Sequence, residues 1–188
     1  MNVISHDWKW SGTLAAAEEP EFIILHHAAA EGSAEAVHGA HLSRGWCGIG
    51  YHYYVRLDGS VHGGRPLGTV GAHTVGYNSR SVGVCFEGNF EARTMPQAQL
   101  EAGRELIAFL RGRFPHAETV CHRDLDATLC PGKNFPFDEL TRTGKKRIFR
   151  VQAGAFSDSR RAYDYAAFLR SRGAEDAFVV ECDVPEGQ

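Results

Sequence analysis

Apolar residues in this chain fall into short blocks whose spacing alternates between the period of a strand and that of a helix. "EFIILHHAAA" holds four apolar residues in succession at 22–25 and stops at a His-His pair, which predicts a short buried strand over 21–25. "GSAEAVHGAHLSRG" then predicts a helix, with Ser33 as N-cap and Gly45 as the stop. "IGYHYYVRLDGSVHGGR" alternates and contains Asp58-Gly59, a strong hairpin signal. "SVGVCFEG" reads as another strand, rich in β-branched and aromatic residues. "TMPQAQLEAGRELIAFLRGRF" is the clearest helix: Thr94 and Gln97 are set as a capping box, Pro96 falls in the first turn, and Leu100, Ile107, Leu110 and Phe114 form the apolar stripe.

Residues 1–142 therefore predict a mixed α/β domain, one sheet with helices around it. Residues 143–147, part of the charged stretch "TRTGKKR", read as a linker. Over 148–188, "IFRVQAGAF" predicts a strand, "DSRRAYDYAAFLRSRG" a helix ending at Gly173, and "AFVVEC" a second strand. Such a β-α-β unit is below the size at which a core sustains itself. It is expected to dock on something, and a second copy, giving a homodimer, is the simplest partner.

At 188 residues the chain is long enough for one well-buried domain and a small appendage. A net charge of −3 argues against a nucleic-acid or anionic-lipid partner. The longest apolar run is too short to span a bilayer, so no membrane insertion is expected. The opening "MNVISHDWKW" lacks the basic start and apolar block of a secretory signal, so the expected place of synthesis is the cytoplasm. Five cysteines, an odd number in no regular framework, fit reduced thiols or metal ligands better than a disulfide scaffold.

Chemistry concentrates in "VCHRDLDATLCPGKNFPF", where His122 and Cys130 flank a short acidic segment with too little apolar periodicity for a core element. A metal, a Cys-His nucleophile pair and coincidence all fit that spacing. A catalytic zinc needs three protein ligands. The third would come from a distant strand end, where "FIILHH" offers His26 or His27; alternation puts His26 on the face of Ile24, which could border a cleft.

Four motifs in this order, "FIILHHAA", "GIGYHYYVRLDGSVHGGRP", "GAHTVGYNSRSVGVCFEGNF" and "CHRDLDATLCPGKNFP", closely resemble the zinc-dependent N-acetylmuramoyl-L-alanine amidases of the type 2 class. That class includes phage lysozymes with amidase activity and animal peptidoglycan recognition proteins, and the resemblance covers roughly residues 20–140. It implies a central mixed β-sheet flanked by helices, with a zinc cleft on one face. It also implies His26, His122 and Cys130 as zinc ligands, Tyr51 lining the site and Thr128 as a second catalytic hydroxyl. His73 and Asn78 match a segment near the cleft and His27 a cleft-wall position, so all three are expected as substrate contacts. An acid-base role for Glu87 stays open. The tail resembles half of a sporulation-related repeat, a glycan-binding module, through "VQAGAF".

The expected activity is hydrolysis, by zinc-activated water, of the amide between N-acetylmuramic acid and L-alanine in peptidoglycan. The setting is that of a phage or prophage endolysin reaching the wall through membrane lesions. The rivals are a non-catalytic recognition module and a cytoplasmic muropeptide-recycling amidase.

Overall fold

The computed structural model describes residues 2–142, 154–174 and 177–179. The chain divides into two compact units, Met1–Thr143 and Gly144–Gln188. In the first, six strands make one sheet: β1 (Val3–Ile4), β2 (Phe22–His27), β3 (Tyr53–Val55), β4 (Val61–Gly63), β5 (Ser81–Phe86) and β6 (Glu118–Cys121). Their order is β1-β4-β3-β5-β2-β6. The β3–β4 pair is antiparallel and every other pair is parallel, so the class is mixed α/β, as the blocks predict.

The hairpin forms where Asp58-Gly59 stands. Gly59 takes φ 85°, a left-handed value that glycine adopts without strain, and Arg56 N donates to Ser60 O at 2.9 Å. β2 lies between β5 and β6 and its four middle residues are buried, which explains an apolar run without alternation.

Helix α1 (Ala34–Ser43) starts as predicted, with the Ser33 side chain accepting from Ala36 N, and ends at Arg44 with Gly45 at φ 81°. Helix α2 (Gln97–Arg113) differs at its start. Pro96 is itself the N-cap, and no side chain caps the first turn, because Thr94 lies too far upstream to reach it. Leu100, Leu106, Ile107 and Leu110 of α2 pack with Leu140 of α3 (Phe137–Thr141) onto Ile23, Leu25, Val82, Val84 and Phe86. A fully buried leucine such as Leu106 contributes about 1.5–3 kcal/mol relative to exposure. A second cluster, Ala34, Ile49, Tyr54 and Cys85, gathers Trp8, Val37 and Tyr51 around it. Alternation thus assigns Val82, Val84 and Phe86 to the α2 side of the sheet, and Gly83 and Cys85 to the α1 side.

In the second unit, α4 (Ser159–Ser171) is capped by the Asp158 carboxylate, which accepts from Arg160 N at 2.7 Å. Phe156 lies 5.4 Å from Tyr165, ring centre to ring centre. The predicted flanking strands fall mostly outside the described residues. Among the described residues, no helix is long and apolar enough to cross a membrane.

Two buried histidines of the first unit are locked in their neutral form. His52 Nδ1 accepts from Gly83 N at 3.0 Å while its Nε2 donates to Thr69 O at 2.9 Å, so protonation would break a backbone hydrogen bond. His41 Nδ1 likewise accepts from Gly50 N at 2.9 Å. Burial pushes both imidazoles down to about 4. An unfolded imidazole takes up its proton near 6.5, so between about 6.5 and 4 the unfolded chain binds more protons, and stability falls as the pH is lowered. Each histidine should cost on the order of 2 kcal/mol by pH 5. Urea unfolding of the apo-protein should show the midpoint dropping from pH 7 to pH 5; a flat profile would contradict the assignment.

Candidate metal centre

Parallel register builds most of the site. Leu25 of β2 lies opposite Cys121 of β6, so His26 and His122 are the next residues at neighbouring C-terminal strand ends. Adjacent strands run about 4.8 Å apart, and the two rings stand 4.6 Å apart between centres. The ends of parallel strands are where open α/β sheets form their ligand crevices. His26 is buried and emerges on the α1 side of the sheet; its register partner on β5 is Cys85.

Cys130 returns to this point through a closed loop. A 3₁₀ turn at His122–Asp124 follows β6, with Asp124 Oδ2 accepting from Cys121 N at 2.7 Å. Arg123 N donates to Cys130 O at 2.9 Å and its guanidinium reaches Gly132 O, also at 2.9 Å. The Cys130 sulfur then accepts from His27 N at 3.4 Å. No sequence pattern signals Arg123 as the clamp of this loop; its contacts are to backbone carbonyls.

The donor atoms of His26, His122 and Cys130 all lie within 4.8 Å of one another. His26 Nδ1 is 3.8 Å from Cys130 Sγ. Two such donors on one tetrahedral zinc would stand about 3.6 Å apart, so the spacing fits. His122 Nε2 is buried without a hydrogen-bond partner, and the nearest carboxylate oxygen, on Asp126, is 3.7 Å away. Burial holds both imidazoles below their ordinary range, the neighbouring His122 adding to the effect on His26. Burial also pushes the Cys130 thiol up to about 11, against the pull of His27 N–H and Arg123. Neutral imidazoles are ready donors, whereas the thiol must lose its proton to a metal. Two nitrogens and one sulfur, with an orphaned buried nitrogen among them, fit a zinc-type ion.

Tyr51 lies beside this group, its ring 5.2 Å from that of His26. Burial raises the phenol well above its usual value, so the hydroxyl keeps its proton. Thr128 Oγ1 accepts from Cys130 N at 3.2 Å, which fixes the hydroxyl against the backbone of the candidate ligand. A cavity of about 250 Å³ opens between α1 and the loop after β2, lined by Glu31, Val37, His41, Arg44, Tyr51 and Tyr54 among others. A larger hollow of about 610 Å³, over Arg123, Phe135 and Arg142, includes none of the three donors. Tyr51 ties the smaller cavity to the chemistry, and volume does not mark the site.

Three residues expected as substrate contacts each have one polar side-chain atom in contact inside the protein. His27 Nδ1 accepts from Phe90 N at 3.2 Å, because alternation along β2 turns its ring away from His26. Asn78 Oδ1 accepts from both His73 N (2.8 Å) and Thr74 N (2.9 Å), bracing the loop between them. His73 sits behind His26, with its Nδ1 3.1 Å from His26 Nε2.

A family model described as N-acetylmuramoyl-L-alanine amidase matches residues 16–133. The endolysin of Enterobacteria phage K11 is 38% identical over 110 residues, which make up 56% of this chain and 72% of the relative. Peptidoglycan-recognition protein SC2 of Drosophila melanogaster is 38% identical over 95 residues, 49% of this chain and 52% of that protein. Among solved structures, the N-acetylmuramoyl-L-alanine amidase LysC from Clostridium intestinale URNW superposes with a TM-score of 0.72 at 33% identity, covering 74% of this chain and 95% of its own.

Glu87, left open by the sequence, is a brace. Its buried carboxylate takes a bidentate contact from Arg56, at 3.0 and 3.2 Å, and accepts from Gly32 N at 2.8 Å and Leu57 N at 3.0 Å. It ties the loop after β2 to the β3–β4 hairpin. These bonds hold its pKa below the ordinary carboxylate value despite burial. Glu87→Gln should therefore lower stability by about 2–3 kcal/mol in denaturant unfolding while the folded fraction keeps its turnover. Unchanged stability with lost turnover would make Glu87 a chemical participant instead.

Proposed function

Because the chain belongs to the N-acetylmuramoyl-L-alanine amidase family and resembles phage endolysins, we propose that it is an endolysin-type enzyme holding zinc through His26, His122 and Cys130. The bond cut is the amide between N-acetylmuramic acid and L-alanine. The observation that carries the metal assignment is the convergence of two uncharged imidazoles, at adjacent strand ends, with a thiol brought back by the loop after β6. When bound, zinc polarises the scissile carbonyl and makes water a nucleophile at neutral pH.

The chain's own groups do the rest. Tyr51, protonated beside the donors, gives its hydroxyl hydrogen to the oxygen that gains charge as the carbonyl becomes tetrahedral. Thr128, whose oxygen already accepts from Cys130 N, retains its O–H to orient the attacking water or the same oxygen. The 250 Å³ cavity, with Glu31 and Arg44 among its lining residues and Tyr51 shared with the metal group, receives the stem peptide, which carries charges of both signs. His27 and Asn78 accept from backbone N–H groups, at Phe90 and at His73 and Thr74, which suits them to bracing those segments. For the second unit the reading is wall attachment or pairing with a second copy, supported by the aromatic residues exposed around α4, Phe156, Tyr163 and Phe168.

Purified sacculi test the cut. Digestion should release new alanine amino termini without new reducing sugar ends, and a chelator or Cys130→Ala should abolish it. A rise in reducing ends would make the enzyme a glycosidase and overturn the reading. Tyr51→Phe and Thr128→Ala should each lower kcat by about 10²–10³-fold with the metal retained; full activity in both would remove them from the chemistry.

A further inference from the structure

We infer that His73 is a positioning residue that fixes the proton of His26 on Nε2 and thereby leaves Nδ1 bare for the metal. The inference rests on the metal reading of His26, His122 and Cys130. His26 directs its two nitrogens at different partners: Nδ1 lies 3.8 Å from Cys130 Sγ and Nε2 lies 3.1 Å from His73 Nδ1. An imidazole that binds a metal through one nitrogen carries its hydrogen on the other, and what accepts that hydrogen sets the tautomer. His73 Nδ1 is in hydrogen-bond range. The Thr74 hydroxyl lies 3.1 Å from the same His73 nitrogen and 3.5 Å from His26 Nε2, closing a small polar group behind the ligand.

His73 is held tightly in that place. Its ring crosses the sheet face over Gly83 and beside Gly71, and a Cβ at either glycine would come within 2.5 Å of the ring. The backbone N–H of His73 is tied to Asn78 Oδ1 at 2.8 Å. In return its Nε2 is buried with no hydrogen-bond partner. An unmatched buried nitrogen is a cost that a simple core filler would avoid. The balance of protons accounts for it. If His26 Nε2–H donates to His73 Nδ1, a neutral His73 must carry its own hydrogen on the unpartnered Nε2. The opposite arrangement, with His73 donating, would put the His26 hydrogen on Nδ1, facing Cys130, and block the metal.

Two measurements test this without recourse to turnover. Long-range ¹H–¹⁵N correlation spectra of the metal-free wild-type protein near neutral pH should show His26 as the Nε2–H tautomer; an Nδ1–H tautomer overturns the inference. Zinc affinity, read by competition with a chromophoric chelator, should fall about 10–100-fold in His73→Leu. His73→Asn, similar in size to leucine but with an acceptor near the position of Nδ1, should keep most of the affinity. The metal-free melting temperatures of the two variants serve to separate metal loss from unfolding. Equal zinc affinity for wild type and His73→Leu overturns the positioning role alone. No zinc binding by wild type overturns the metal reading, and this inference with it.

Discussion

The parallel pairing of β2 with β6, Leu25 opposite Cys121, is the constraint on which the site depends. Nothing in the 95 residues between His26 and His122 brings them together locally. One strand register does so, and it is held because β2 is buried between two parallel neighbours. A slip of one residue would turn His26 to the α2 side of the sheet and send Leu25 toward the cleft. The apolar run "FIIL" therefore does catalytic duty at one remove: burying it sets where the next side chain stands.

Around that frame the protein spends polar contacts on loops. Arg123 closes the turn that carries Cys130, Glu87 with Arg56 ties the loop after β2 to the hairpin, and Asn78 clasps the segment bearing His73. The first two of these contacts sit beyond the C-terminal ends of β2, β5 and β6, where the sheet gives no further backbone pairing, and the third holds the segment leading into β5. Side chains supply the missing hydrogen bonds. Of the three candidate donors His26 is buried and the other two partly so, and all are uncharged, so in the zinc reading affinity would come from geometry and from release of the Cys130 proton.

What was legible in the sequence was local. Ser33, Gly45 and the Asp58-Gly59 turn state their conformations through side-chain chemistry or left-handed backbone, and α1 and the β3–β4 hairpin follow. Alternation along "FIILHH" was enough to separate the face of His26 from that of His27. The capping box failed because Thr94 and Gln97 have the right spacing but Pro96 takes the N-cap position, which makes Gln97 the first helical residue. The internal contacts of His73, Asn78 and Glu87 were hidden for a different reason. Their partners, His26, Thr74 and Arg56 with Gly32, are chosen by tertiary packing, and the same residue types in the same order could equally have faced solvent or substrate.

The central claim is that two imidazoles and one thiolate share a single ion. X-ray absorption at the zinc K-edge of the zinc-loaded full chain tests it most directly. The account predicts one zinc per chain with a single sulfur neighbour at about 2.3 Å and nitrogen or oxygen neighbours at about 2.0–2.1 Å, the sulfur vanishing in Cys130→Ser. A spectrum without sulfur in the wild-type protein, or no zinc retained at all, would contradict it.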